Sequence, residues 1–166
     1  MHAAAGSPGG RVAFPAVPDE PRDPAQRKAD VLAKLTAPVA DVWVATAEGD
    51  RPFLVPLTAA WHNERIVLAT ARTTPVARNL LANGRARLAL GHTRDVVLID
   101  AVLERTAEVA SSGALGEAYA GQNDWDPRTA GESYVFLILR PDRILAWREE
   151  NEIAGRTLMR DGAWLI

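Results

Sequence analysis

Thr70, Arg72, Thr73 and Thr74 bring hydroxyls and a guanidinium together immediately before Pro75. Those are the groups that an anion needs. The apolar run Ile66 to Ala69 reads as a strand, and a helical pattern begins at about Val76, so the four residues fill a strand-to-helix turn. The first turn of a helix carries backbone N–H groups without intrahelical partners, and a negatively charged group is stabilised there. A second reading of the same residues is structural: a Thr N-cap followed by proline at the first helical position. The residues alone leave both open. Arg78, inside the helix, is a secondary candidate for the anion.

No set of catalytic side chains appears elsewhere. His2, His62 and His92 are scattered without ligand spacing, which argues against a metal site. Ser111, Ser112 and Ser133 have no nucleophile elbow or evident His partner, and no G-x-G-x-x-G follows a strand. Asp95 opens an apolar strand; it is suited either to an Arg partner or to the edge of a heterocycle. Of the tryptophans, Trp43 is expected in the core, Trp61 and Trp164 in packing roles, and Trp125 in a polar loop as a lid or subunit contact. Trp147, with Arg148, Arg156 and Arg160 near it in sequence, is placed either to flank a planar ring or to cover a core edge. Any chemistry must then come from a bound phosphorylated cofactor.

The elements that would position these groups are mostly strands. Residues 1–24 carry Pro15, Pro18, Pro21 and Pro24 and read as a flexible arm preceding one domain over residues 25–166. A helix is expected from Ala25 to about Ala37, closed by Pro38. Val42 to Thr46, Phe53 to Trp61 and Ile66 to Ala69 form three strands joined by tight polar turns, hence an antiparallel meander. A helix over about Val76–Ala82 stops at Asn83-Gly84. Arg85 to Leu90 and Asp95 to Glu108 are further strands. Ser111 or Ser112 caps a helix reaching about Gly121. Tyr134 to Leu139, Arg143 to Trp147, Arg156 to Met159 and Trp164 to Ile166 complete the set, with turns at Pro141-Asp142 and Asp161-Gly162. The fold class expected is mainly β (α+β): a six- to eight-stranded antiparallel β-barrel with short peripheral helices.

Composition narrows the partners. The chain has 166 residues, 48% hydrophobic and 24% charged, enough for one domain with a real core. A formal charge of −2 gives no reason to expect nucleic acid or an anionic membrane surface. No apolar run approaches a membrane span. Cysteine is absent, which removes disulfides and thiolate chemistry and fits a cytoplasmic location.

Taken together, the strand order, the run Ile66 to Leu90 and the ending Trp147…Arg156-Thr157-Leu158-Met159-Arg160-Asp161-Gly162-Ala163-Trp164 resemble the pyridoxamine 5′-phosphate oxidase-like family. These are FMN-binding split β-barrel flavoproteins with F420-dependent relatives, and the resemblance runs from about Ala29 to Ile166. It implies a homodimer with cofactors at the subunit interface. Backbone groups of Leu54, Val55, Pro56 and Leu57 would line the isoalloxazine. Thr70 and the turn after it would hold the ribityl phosphate. Asp95 falls where pyridoxamine oxidases place a Gln, and Trp147 with Arg156 match a Trp and an Arg that reach the flavin from the other subunit. Two departures stand out. Thr74-Pro75-Val76 replaces Ser-Arg-Lys, and Glu152-Ile153-Ala154-Gly155-Arg156 replaces the substrate motif Arg-x-His-x-Arg. The expectation is an FMN-dependent oxidoreductase acting on a small molecule other than pyridoxamine phosphate. The alternatives are an F420-dependent reductase or a non-catalytic flavin or small-molecule binding module.

Overall fold

The computed structural model describes residues 20–166; the expected flexible arm, up to residue 19, lies outside them. Period-two burial builds the barrel wall. In β1 (Ala40–Glu48), Ala40, Val42, Val44 and Thr46 are buried, whereas Asp41 and Trp43 point outward. β2 (Arg51–His62), β3 (Arg65–Ala71), β4 (Arg85–Leu90), β5 (Val96–Glu108) and β6 (Tyr134–Trp147) follow, with α2 (Pro75–Asn83) between β3 and β4. All pairings are antiparallel, in the order β3-β2-β1-β4-β5-β6, and a β3–β6 ladder closes these six into a barrel. The short β7 (Thr157–Arg160) and β8 (Ala163–Trp164) extend the sheet beyond β6.

Val44, Ile66, Leu68, Leu88, Ile99, Leu137 and Leu139 fill the interior. A second cluster lies outside the β3–β6 wall, where Val67, Ala69, Phe136 and Ile138 pack with Tyr119 of α3 (Gly113–Asn123). Those two strands are therefore buried on both faces and lose the alternation that β1 keeps.

Helix α1 (Pro24–Leu35) is set by Asp23, whose carboxylate accepts the Gln26 N–H at 2.8 Å, with proline at the helix start. It buries Arg27, Val31 and Leu35, one turn apart. Just before it, Arg22 is fastened rather than free, donating through Nη2 to the Glu152 carboxylate at 2.7 Å. Among the described residues no helix is long and apolar enough to cross a membrane.

Three local expectations change. Trp43 is 52% exposed, not core, because the alternation that buries Val42 and Val44 turns it outward. β6 runs unbroken from Tyr134 to Trp147 instead of turning at Pro141-Asp142. The register shift against β5 between Asp100 and Ala101 forms a bulge there, and a bulge tolerates a proline without a donor. Ser112 occupies the cap position of α3, but its hydroxyl donates back to the Glu108 carbonyl at 2.6 Å and caps nothing.

Candidate functional site

β2 has two kinds of neighbour along its length. From Arg51 to Ala59 it pairs with β1, but it meets β3 only from Ala59 to His62. Before that point β2 and β3 diverge, leaving one backbone edge of β2 without a strand beside it. Facing that edge is a cleft of about 570 Å³ lined by Pro56, Leu57 and Thr58 of β2 and by Ala69 and Thr70 of β3. Asp41 and Trp43 of β1 line it too, as do Tyr119, Trp125 and Tyr134.

The turn after β3 is largely satisfied by the protein itself. Thr74 is the N-cap of α2: its Oγ1 accepts the Ala77 N–H at 3.3 Å and its hydroxyl donates to the Ala71 carbonyl at 2.9 Å. A hydroxyl has one proton, so the Thr70 hydroxyl, 3.2 Å away, donates to Thr74. The Arg72 N–H goes to the Ser133 carbonyl and the Thr74 N–H to the Ala71 carbonyl. Arg72 forms an exposed ion pair with Glu108, and Arg78 donates to the Thr73 carbonyl at 2.6 Å. Among the described residues, the N–H groups of Thr73 and Val76 have no protein partner. The structural reading of Thr74 thus holds, and the anion reading rests on those two N–H groups, on Thr70 and on a guanidinium whose present pair is loosely held.

The remaining candidates sit elsewhere. Leu54 is 60% exposed, and Val55 packs against the barrel interior. Asp95 lies by the far end of β6, 2.9 Å from Lys34 Nζ and 3.5 Å from Arg148 Nε. Next to it, Trp147 pairs with Val96, and the Arg156 guanidinium lies over the Trp147 ring at 5.7 Å. Tyr134 in the cleft and Trp147 occupy opposite ends of β6, ~40 Å apart along the strand at about 3.3 Å per residue. One chain therefore brings Pro56, Leu57 and Thr70 together but not Asp95, Trp147 or Arg156.

Glu152, buried to 3% exposure, anchors the loop between Trp147 and Arg156. It accepts the Arg22 backbone N–H, Nε and Nη2, and the Arg148 N–H. The Arg22 side-chain hydrogen bonds pull its carboxyl down to about 2.

Sequence reasoning missed Asp41, Tyr119 and Tyr134. The two-residue spacing of Asp41 and Trp43, opposite Val42 and Val44, was the available signal for the first. The tyrosines reach the cleft through α3 and the end of β6, which only the closed barrel brings together. Trp125 was singled out, and it does line the cleft.

No family model matches the chain, and no curated protein matches it. Solved structures do. One is an F420 reductase, 17% identical with a TM-score of 0.55, the match covering 68% of this chain and 93% of that one. Another is a provisionally assigned pyridoxamine 5′-phosphate oxidase from Listeria innocua, 15% identical with a TM-score of 0.57, over 74% of this chain and 98% of that one. A third is a heme binding protein from Mycobacterium smegmatis, 19% identical with a TM-score of 0.58, over 85% of this chain and 59% of that one. At such identities the likeness lies in the fold. A sheet closed through six strands, open between β2 and β3 and extended by two more, is the split β-barrel of the pyridoxamine 5′-phosphate oxidase-like proteins.

Proposed function

We propose that the protein binds FMN, or F420 as the alternative, in the cleft between β2 and β3, and acts as an oxidoreductase on a small organic molecule. The observation that carries this reading is the unpaired β2 edge at Pro56 to Thr58 beside Thr70. A planar ring with alternating carbonyl and N–H groups along its rim pairs with such an edge as a neighbouring strand would. The anionic tail would run to Thr70 and the free N–H groups of Thr73 and Val76, with Arg72 released from Glu108 to meet it. When bound, the flavin or deazaflavin supplies hydride transfer, and the protein binds it, orients it and excludes water.

The same reading calls for a second copy. Trp147 and Arg156 cannot reach the cleft of their own chain, so a homodimer would supply them from the partner. The outer barrel face offers a surface for it: register aligns Pro56, Trp43, Ala89, Leu98 and Leu145 in one apolar row across five strands. The replacement of Ser-Arg-Lys by Thr74-Pro75-Val76 supports a second reading, a weak flavin-binding module without turnover.

Titration of the purified protein with FMN and with F420, followed by absorbance, tests the proposal. Thr70→Val with Arg72→Ala is expected to weaken uptake at least about tenfold, through loss of charge-assisted hydrogen bonds, without changing the oligomeric state. Uptake of neither compound refutes it. Uptake without reduction by an anaerobic electron donor leaves only the binding module.

A further inference from the structure

The wall of the cleft away from Thr70 is aromatic and carries a negative charge. Trp125 meets Tyr119 edge to face, with centroids 6.1 Å apart and planes at 74°, and meets Tyr134 at 5.8 Å and 68°. Trp43 lines the cleft from the β1 side. The Tyr119 hydroxyl is already used, donating to the Thr58 carbonyl at 3.0 Å, and burial pushes it up to about 12, so it stays neutral. Asp41 is the charged residue of the lining, which holds neither Lys nor Arg. Its carboxylate accepts the Thr58 hydroxyl at 3.1 Å and has no ion pair among the described residues.

These features select among ligand types. An anion would meet the Asp41 carboxylate, with no Lys or Arg in the lining to offset it. A neutral apolar group would strip water from Asp41 and return nothing to it. A cation with an apolar shell satisfies both the rings and the carboxylate. We infer that this corner, bounded by Trp125, Tyr119, Tyr134, Trp43 and Asp41, binds a small alkylated ammonium compound. That this compound is the substrate rests on the proposed oxidoreductase reading; its binding to the corner does not require a cofactor.

Choline and its neutral isostere 3,3-dimethyl-1-butanol differ in the charge alone of the branched end, so they test the inference on the full chain by tryptophan fluorescence and calorimetry. Choline is expected to bind at least about tenfold more tightly than the isostere. Trp125→Leu and Asp41→Asn should each erase most of that preference, with circular dichroism confirming that both variants fold. Phosphocholine should bind more weakly than choline to the Thr70→Val, Arg72→Ala variant, in which the proposed phosphate socket is removed; tighter binding there would assign the corner itself to a phosphate-bearing headgroup and overturn the free-cation inference. Equal affinity for choline and the isostere, or no binding of either, also overturns it. Choline binding by a protein that takes up neither FMN nor F420 would uphold the cation site while the oxidoreductase reading fails.

Discussion

Glu152 links the segment before α1 to the loop after β6, and its replacement by Gln should be felt chiefly through pH. Its carboxyl titrates at about 2 in the fold against an ordinary value of 4.5, because Arg22 donates to it from three nitrogens. A depressed folded value means that stabilisation is complete above the unfolded value and is lost as pH falls through the folded one. A shift of that size corresponds to roughly 3 kcal/mol at pH 7 and, by the same linkage relation, about 1.4 kcal/mol at pH 3. Glu152→Gln keeps the shape but not the charge. Urea denaturation should therefore find the variant less stable by roughly 3 kcal/mol at pH 7, with the gap shrinking to about half or less at pH 3. Glu104, whose carboxyl the Arg65 hydrogen bond also holds below its ordinary value, has no contact with Arg22 and affects both proteins alike, so its titration cancels in the difference. A gap that does not change with pH would show that Glu152 acts through packing alone.

Two further outcomes follow from the geometry. Ala89→Glu sets a carboxylate in the middle of the apolar row between Trp43 and Leu98, and sedimentation velocity should find this variant monomeric where the parent is dimeric; two dimers, or a monomeric parent, would remove this face as the interface. Gly91 has φ +88°, and a Cβ there would lie 2.2 Å from the Asp95 carbonyl oxygen, so Gly91→Ala should cost more than about 2 kcal/mol in urea denaturation; a loss under about 0.5 kcal/mol would contradict that strain.

Local chemistry was legible wherever neighbours in sequence decide the structure. The Thr74-Pro75 start and Gly84 stop of α2 obey capping rules, and the meander β1–β2–β3 lies where its turns put it. Trp43 was misplaced because its apolar character outweighed the two-residue period that its neighbours displayed. Continuity of β6 through Pro141 was hidden because the bulge that accommodates the proline depends on β5, roughly forty residues earlier. The Arg22–Glu152 link spans 130 residues of sequence, beyond any local pattern. The cleft was half visible: Pro56, Leu57 and Thr70 could be named, but Asp41, Tyr119 and Tyr134 meet them only once the barrel closes.

The burial of Glu152 bears on which side chains the fold accepts at that position. Its side chain points into the molecule and takes the Arg22 backbone N–H, Nε and Nη2, while Nη1 goes to Asp30. Glu152→Arg would press a new guanidinium against Arg22 and the buried Arg27, a clash of like charges in a poorly hydrated place. Changing Arg22 first would strand the carboxylate instead. Exchange at position 152 or at position 22 alone therefore breaks a charge match on which the other side chain depends.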